Sequence, residues 1–491
     1  MKKKVLLVLI LLCLVLISLP AVIVNAESDD SAPRGSRGYY TYDYWGNVME
    51  SAPAYVYKRE LSYNTLGLDK ASIFSSVFYK NNYIYIADQG LNGIYVVDYD
   101  FNVVKLLYHF DNVDTEGNPF EDSFGGPQGI TADDNGNIYV ADSGNARILV
   151  FNPDYTLKME IHKSDHLALE GLVFNPIDIS VSYTGRIYVV GENVTYGIME
   201  LDSEGNFLNF VGTNLVSVSA IDLLWRSMMN KEQRKYASLI LPQQFRSIDV
   251  DSDGFIYCTS WTASNPIKRL NFDGNNVLVQ NWYYGVIGDI KTKNASEFTA
   301  ISTNDLGIYM ALDRQKYRVF VYNCDGEMMY MLGGEDRSDG HFLQPVDLCW
   351  LKNDDIAVCD ASKSSIIVFE ATEFGKAINK AARYHYYGLY EEAHESWELA
   401  QKLNSNYDLA YIGIGKTYLF TGEYKKAMEY FKLGNDRAYY SKAYSKQMRI
   451  DIENNFGWIF AGIVLVVAGA FTPKIVKTIK KRKEVKDGEE L

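Results

Sequence analysis

The sequence predicts a mainly β chain: a six-bladed β-propeller, followed by an α-helical module and a single transmembrane helix. Three observations predict this architecture. A strand pattern, usually with a central tyrosine, recurs six times within residues 53–372. After Phe369 the hydrophobic period changes from two to about 3.6, which indicates a switch from strands to helices. Finally, an apolar run of bilayer length occupies residues 456–476.

The N-terminal residues 1–26 have the features of an export signal. Three lysines at positions 2–4 precede an apolar stretch, and Val-Asn-Ala at residues 24–26 forms a small-residue cleavage site. Residues 27–456 carry a net charge of −20. This charge argues against nucleic acid as a partner, because affinity for nucleic acid depends on clustered Lys and Arg. A chain with 47% hydrophobic residues, 11 Pro and 5 Cys is neither disordered, collagen-like nor a disulfide scaffold.

The recurrent strand pattern defines the propeller. Its six copies are centred on Tyr85, Tyr139, Tyr188, Tyr257, Tyr309 and Ala357. Asn-Gly, Asp-Gly and Glu-Gly pairs mark the hairpins between strands, because these turns need left-handed backbone conformations. A unit of about four short strands cannot bury both faces alone and must pack against its neighbours, which is typical of a β-propeller.

The clearest copy contains Pro-x-Gly-Ile, Asn-Gly-Asn-Ile-Tyr-Val-Ala-Asp, Ser-Gly-Asn and Arg-Ile within residues 127–148. This series resembles the NHL repeat. The resemblance implies a six-bladed propeller over about residues 53–372. Residues 54–61 have strand character, and we expect them to complete the last blade and so remove an exposed sheet edge.

One spacing between copies is longer than the others, and the excess is not strand-like. It predicts a helical insert at about residues 213–240. Basic residues accompany an apolar face in this insert, and they form a positive patch in an acidic domain. The candidate docking residues are Trp225, Arg226, Lys231 and Arg234. The helix either packs on the side of the propeller or acts as a lid or docking element near the channel mouth.

An α-helical module is predicted at residues 374–454. Two copies align at a spacing of 34 residues, pairing Ala381 with Gly415, Tyr384 with Tyr418, Gly388 with Gly422, Tyr390 with Tyr424, Ala393 with Ala427 and Trp397 with Phe431. This pattern resembles the tetratricopeptide repeat, which implies two antiparallel helix pairs, and a further helix at about 438–454 would cap the stack. Because two repeats seldom stand alone, we expect the module to lean on the propeller or on a partner.

Residues 456–476 predict one transmembrane helix, with Trp458 at the outer interface. The tail at residues 477–491 is basic, and the positive-inside rule places it in the cytoplasm. The export signal independently places the N-terminal part outside. Together they predict a single-pass protein of the cell membrane with an N-terminal ectodomain.

The candidate ligand site is the mouth of the propeller channel, where the innermost strands begin. Aligning the repeats places four polar residues there: Gln128, Asp178, Arg246 and Asp347. These side chains either bind a polar ligand or a metal, or pair with one another. The sequence does not decide between the two roles.

Other polar patterns predict structure rather than chemistry. Residues 249–254 match half of a calcium loop, but Ser260 stands where a closing acid is needed, so we expect an ordinary hairpin turn. Asp88, Asp142 and Asp360 share one repeat position, which favours hydrogen bonds to loop amides. Cys349 and Cys359 lie on one predicted hairpin, and their bonding state is left open.

The leading functional hypothesis is a membrane-anchored extracellular recognition or scaffold protein that binds a protein partner or a carbohydrate-like ligand. The resemblance to NHL and tetratricopeptide proteins suggests an accessory role beside a membrane transporter. The alternative is an anchored lactonase or hydrolase acting on a carbohydrate derivative. Only that alternative requires a divalent metal, and no catalytic residue or other cofactor is predicted.

Overall fold

The computed structural model describes residues 39–43, 45–114, 116–213, 243–261, 265–278, 288–289, 296–304 and 306–489, with side chains described up to residue 480. The predicted export signal lies outside the described residues. So do the four candidate docking residues Trp225, Arg226, Lys231 and Arg234. The docking helix therefore stays a prediction.

Six β-sheets form the blades of a propeller. Three strands precede the first blade: β1 (Tyr40–Tyr42), β2 (Val48–Glu50) and β3 (Tyr55–Ser62). Blade 1 comprises β4 (Phe74–Lys80), β5 (Tyr83–Asp88), β6 (Gly93–Asp98) and β7 (Val103–Leu107), and a hairpin of β8 (His109–Val113) and β9 (Pro119–Ser123) follows it. Blade 2 comprises β10 (Pro127–Ala132), β11 (Ile138–Asp142), β12 (Arg147–Phe151) and β13 (Leu157–Ile161). Blade 3 comprises β14 (Pro176–Val181), β15 (Ile187–Gly191), β16 (Ile198–Leu201) and β17 (Phe207–Val211).

The remaining blades complete the ring. Within the described residues blade 4 comprises β18 (Phe245–Val250), β19 (Ile256–Ser260) and β20 (Ile267–Leu270). Blade 5 comprises β21 (Phe298–Thr303), β22 (Tyr309–Asp313), β23 (Arg318–Tyr322) and β24 (Met328–Gly333). Blade 6 comprises β25 (Pro345–Trp350), β26 (Ile356–Asp360) and β27 (Ser365–Ala371), with β3 as its outer strand. The predicted six-bladed propeller is confirmed, and each centre of the recurrent pattern lies on the second strand of a blade.

The N-terminal strand β3 closes the ring. It pairs antiparallel with β27, with Leu61 opposite Ile366 and Arg59 opposite Val368. The prediction that residues 54–61 complete the last blade is confirmed. Each innermost strand also contacts the innermost strand of the next blade, and β25 contacts β4. Joining the first and last strands in one sheet removes an edge that would otherwise invite pairing with another chain.

Neighbouring blades are held together by apolar side chains that interleave between the sheets. Ile94 and Val96 of blade 1 belong to the same buried cluster as Val140 of blade 2. Ile148 of blade 2 likewise joins a cluster with Ile187 of blade 3. Burial of one such side chain stabilises the fold by about 1.5–3 kcal/mol. The core is therefore a ring of separate clusters between sheets.

An N-terminal hairpin of β1 and β2 packs beside blade 5. The hydroxyls of Tyr40 and Tyr42 donate to the buried carboxylate of Asp289, and Arg318 of β23 lies 2.9 Å from the same carboxylate. This hairpin was not anticipated from the sequence, because its two strands are only three residues long.

Five helices follow the propeller: α1 (Glu373–Tyr386), α2 (Tyr390–Leu403), α3 (Asp408–Phe420), α4 (Tyr424–Leu433) and α5 (Arg437–Glu489). Each helix contacts the next in the chain. Trp397 of α2 is 4% exposed. A side chain at Gly413 of α3 would collide with its indole ring, so the absence of a side chain there lets the two helices approach. Phe431 of α4 packs on Gly415 of α3 in the same way.

The helices pack on one face of the propeller. On that face, the turns between the first and second strands of blades 4 and 6 meet α1: Asp253 accepts from Tyr386, and Asp354 pairs with Arg383. The buried amide of Asn379 bridges the hydroxyls of Tyr330 and Tyr55, at 2.6 and 2.8 Å. The helical module therefore leans on the propeller, as expected. The innermost strands begin at the opposite face.

Helix α5 is continuous from Arg437 to Glu489, so the predicted capping helix and the predicted membrane segment are parts of one helix. Its N-terminal turns pack on α4 through Tyr439 and Ala443. The segment Arg437–Lys480 has a mean hydropathy of 2.1 over its most apolar window and is exposed there. This helix is long and apolar enough to cross a membrane.

Candidate functional site

The candidate site is a cavity of about 240 Å³ at the face where the innermost strands begin. The four residues aligned from the sequence, Gln128, Asp178, Arg246 and Asp347, all line it. They come from four different blades and lie up to about two hundred residues apart in the chain. Further lining residues that sequence reasoning missed are Ser76, Gln89, Trp261 and Gln344.

A β-bulge near the start of each innermost strand places the lining side chains. In every blade the pairing register with the second strand shifts across the strand's second residue. The bulged residues, which form the mouth layer, are Ser75, Gln128, Ile177, Arg246, Thr299 and Val346. The next residues, which form a girdle layer below, are Ser76, Gly129, Asp178, Ser247, Ala300 and Asp347. A bulge re-aims side chains, and here it directs two successive residues of each strand toward the channel.

In the girdle layer the carboxylates join neighbouring blades. Asp347 of blade 6 accepts from the Ser76 hydroxyl at 2.6 Å and from the Val77 amide at 2.9 Å, both in blade 1. Asp178 of blade 3 accepts from the Ile248 amide of blade 4 at 2.9 Å. Each carboxylate also accepts the amide that follows it, at 2.8 Å. Neither acid pairs with another of the four aligned residues; both accept hydrogen bonds from the next blade, a contact that was not expected from the sequence.

The girdle repeats after three blades. Blades 6, 1 and 2 contribute Asp347, Ser76 and Gly129, and blades 3, 4 and 5 contribute Asp178, Ser247 and Ala300. In each arc the serine hydroxyl also accepts an amide from the third blade, from Ile130 at 3.3 Å and from Ile301 at 3.2 Å. The third residue is small because space is limited: a Cβ at Gly129 would lie 2.9 Å from the Asp178 Cα.

The two carboxylates lie on opposite sides of the ring, three blades apart, and they influence each other's ionisation. The enclosing strands raise the pKa of Asp178, and the negative charge of Asp347 raises it further. Burial likewise raises the pKa of Asp347, against the opposing effect of its bonds to Ser76 and Val77. The channel is therefore an unfavourable place for a second negative charge.

In the mouth layer Arg246 is stacked on an indole ring. Its guanidinium carbon lies 3.4 Å from the centre of the Trp261 ring, and that of Arg314 lies 3.9 Å from the same centre. Two groups so close to one ring centre must occupy opposite faces. Arg314 is paired with Glu297 at 2.7 Å, whereas the buried Nε of Arg246 has no acceptor. Burial and the charge of Arg314 lower the pKa of Arg246.

Three glutamine side chains surround the same cavity: Gln89, Gln128 and Gln344. Gln344 accepts from Ser362 at 2.8 Å. Within the described part of the chain, the side-chain amides of Gln89 and Gln128 form no hydrogen bond. The mouth layer thus presents a cation and neutral donors and acceptors, while the girdle layer presents carboxylates.

The other acidic patterns have structural roles, as expected. Asp88 accepts from the amides of Gly90 and Leu91 at 2.8 and 3.0 Å. Asp142 accepts from the Gly125 amide and from Arg147, and Asp360 from the Leu343 amide. In the half calcium loop, Asp251 accepts the Phe255 amide of its own hairpin turn at 2.8 Å. Within the described residues, no group of three or more His, Cys, Asp or Glu is placed to hold a metal ion.

The cysteines of blade 6 are free thiols. The strand register places Cys349 opposite Ala357, and Cys359 opposite Asp347, so the two cysteines are diagonal neighbours. They do not face each other across the hairpin, because the turn that pairs Trp350 with Ile356 places Cys349 opposite Ala357.

Comparison with known proteins identifies the repeat. A family profile described as the NHL repeat matches residues 124–151, which include all of blade 2 except β13. No curated protein matches the chain. Among solved structures, virginiamycin B lyase from Staphylococcus aureus is 12% identical, with a TM-score of 0.40, over 65% of this chain and 100% of that chain. A streptogramin B lyase is 14% identical, with a TM-score of 0.40 and the same coverages.

A third solved structure is a protein of unknown function from Bacteroides thetaiotaomicron. It is 12% identical, with a TM-score of 0.41, over 62% of this chain and 70% of that chain. These identities and scores are too low for any activity to be carried over to this chain.

Proposed function

We propose that this protein is a membrane-anchored recognition and scaffold protein whose propeller mouth binds a polar ligand. One observation carries the proposal: Arg246, Gln89 and Gln128 converge at the mouth without an intramolecular partner for their polar atoms. Buried polar groups are generally hydrogen-bonded, so the unpaired Nε of Arg246 favours an external partner. Gln89 is exposed and Gln128 is half-buried, so both amides can contact a ligand at the mouth. The helical module occupies the opposite face.

The composition of the cavity favours binding over catalysis. Within its described lining there is no histidine and no cysteine, and both carboxylates are engaged by the next blade. A metal-dependent lactonase needs a compact ligand set, and none is placed among the described residues. Neither the lactonase nor the hydrolase alternative is supported by a specific contact, so recognition is the function that we propose.

The helices supply the scaffold role. In our interpretation they form tetratricopeptide-like pairs, with Trp397 and Phe431 filling equivalent positions 34 residues apart. We further propose that α5 anchors the chain in the cell membrane, with the propeller outside and the basic tail at residues 477–491 in the cytoplasm. A protein partner, such as a component of a membrane transporter, would then contact the helices or the membrane segment.

The test is ligand retention by the full chain in lipid nanodiscs. Wild-type protein and a Gln128→Trp variant, which fills the mouth, are incubated with extracts of the cell envelope and growth medium, and retained compounds are identified by mass spectrometry. We expect wild type to retain a compound that Gln128→Trp does not. Equal retention by both would move the site elsewhere, and a compound converted to a new mass only by wild type would favour the enzymatic alternative.

Orientation has a separate test. Protease added to intact cells should destroy the propeller and leave a short C-terminal fragment, because only the membrane helix and tail are shielded. A protected propeller would contradict the proposed orientation.

A further inference from the structure

The charge of the mouth layer indicates which chemical class of ligand the cavity binds. This inference rests on the proposed function of the same cavity. Arg246 is the single cation among the described lining residues. The neighbouring Arg314 forms an ion pair with Glu297, but no described carboxylate lies within ion-pair distance of Arg246. A planar guanidinium offers two parallel donors, which match a carboxylate. Glu192 and Glu297 act on Arg246 only from beyond ion-pair distance, so the guanidinium favours a ligand group with a single negative charge.

The stacking on Trp261 holds the guanidinium in place before any ligand arrives. With the ring at 3.4 Å on one side, the Arg246 plane is fixed, and Arg314 at 3.9 Å fixes the other face of the ring. A pre-positioned side chain loses less conformational entropy on binding. The arrangement therefore suits a small ligand, which has few other contacts to offset that loss.

The far end of such a ligand meets the girdle layer. Asp178 and Asp347 border the same cavity below the mouth from opposite sides of the ring, and no described Lys or Arg forms an ion pair with either carboxylate. A second anionic group at this depth would be repelled, whereas a cationic group between the carboxylates would relieve the repulsion. The two layers thus favour opposite charges at the two ends of a bound molecule.

The size of the cavity limits the length of the ligand. Its volume is about 240 Å³. An engineered protein cavity of roughly 150 Å³ holds one benzene molecule. The cavity therefore admits a molecule moderately larger than benzene, such as an amino acid, and excludes a folded macromolecule.

We propose that the mouth binds a small zwitterion, with its carboxylate on Arg246 and its cationic group directed toward Asp178 and Asp347. Gln89 and Gln128 would hydrogen-bond polar atoms between the two ends. The ligand class is thus an amino-acid-like molecule rather than a polyanion or a neutral sugar.

The experiment uses four compounds of matched chain length: γ-aminobutyrate, butyrate, glutarate and butylamine. Each is titrated into the full chain in lipid nanodiscs, and binding is followed by ligand-observed NMR. We expect γ-aminobutyrate to bind most tightly and glutarate most weakly. Glutarate bound as tightly as γ-aminobutyrate, or binding of none of the four, would overturn the proposal.

Variants identify the group that contacts the carboxylate. Arg246→Gln should weaken γ-aminobutyrate binding roughly 10- to 100-fold, which is the range for losing a charged hydrogen-bonded pair. Arg246→Lys keeps the positive charge but not the two parallel donors of the guanidinium. Its affinity for γ-aminobutyrate should lie between those of wild type and Arg246→Gln. Unchanged binding in both variants would overturn the assignment.

The matched control is Arg269→Gln. Arg269 lies in the same blade and is likewise stacked on an aromatic ring, 3.8 Å from the centre of Phe255, but at the helix-covered end. The Arg269→Gln variant should bind γ-aminobutyrate as wild type does. If it lost as much affinity as Arg246→Gln, the assignment of Arg246 as the carboxylate contact would be overturned. If the four compounds fail while Gln128→Trp still loses a retained compound, the zwitterion chemistry is wrong and the recognition function stands.

Discussion

The two faces of the propeller differ in how their polar groups are satisfied. On the helix-covered face, polar side chains join the helices to the propeller: Asn379 bridges two tyrosine hydroxyls, and the buried Lys416 lies 3.2 Å from Asp325. A few buried nitrogens there, such as Nε of Arg383, still have no acceptor. On the mouth face, Arg246 and Gln128 find no partner among the described residues, and both line a cavity. The comparison teaches that polar residues join two modules on one face and line a cavity on the other.

The comparison predicts the largest loss of stability on the helix-covered side. Trp397→Ala should lower the free energy of unfolding by about 3–5 kcal/mol, because it opens a cavity against Gly413 between α2 and α3. Chemical denaturation followed by circular dichroism measures it. Tyr387→Ala is the control, since Tyr387 is 57% exposed and should change little. A cost below about 1 kcal/mol for Trp397→Ala would contradict the interface.

Substitutions in the girdle layer should lower the free energy of unfolding by less than Trp397→Ala does, and the effects of its two carboxylates should be coupled. Asp178→Ala and Asp347→Ala each leave interblade donors without an acceptor, and we expect each to cost about 1–3 kcal/mol. Because the two charges repel, each single substitution removes the whole repulsion, which lowers the cost of that substitution. In the double variant this gain is counted only once. The double variant should therefore cost more than the sum of the singles. A double-variant cost equal to the sum of the single costs would show that the two carboxylates do not interact, and a smaller cost would show that they stabilise each other instead of repelling.

The same repulsion predicts a pH dependence. The pKa of Asp178 is raised above its ordinary value of 3.8 in the folded protein, by burial and by Asp347. The folded state then binds more protons than the unfolded state above that value, so stability is greatest below it and falls as pH rises. In Asp178→Asn this fall should be shallower. Melting temperatures measured across the acidic to neutral range test it, and parallel curves would contradict the shift.

The smallest effect on stability is expected in the mouth layer. Gln128→Ala should change the free energy of unfolding by less than about 0.5 kcal/mol, because its amide has no partner to lose. Thr299→Ala, at the equivalent place in the other arc, is the matched comparison. Thermal melts of both variants measure the change in stability. A loss comparable to that of Asp178→Ala would mean that the mouth layer also holds the blades together.

The fold was predictable because its signals are local. The recurrent tyrosine strands and the turns between them located the second strand of every blade, and the 34-residue spacing located four helices. Alignment of those repeats also brought Gln128, Asp178, Arg246 and Asp347 to two successive layers near the channel. Trp261 was not found, because it follows a second strand and carries no repeat signal. The two short strands of the N-terminal hairpin likewise lack a periodic pattern.

By itself, the sequence determined the number of blades, their order, the closing strand and the position of the apolar helix, because hydrophobic period and turn chemistry act over a few residues. Only the tertiary structure decided the partners of the site residues. Asp178 accepts an amide 70 positions away, and Asp347 accepts one 270 positions away. Such contacts depend on how one blade packs against the next and, for Asp347, on ring closure, and no local pattern encodes that. Blade packing also gave Asp178 and Asp347 their interblade donors and left Nε of Arg246 without an acceptor.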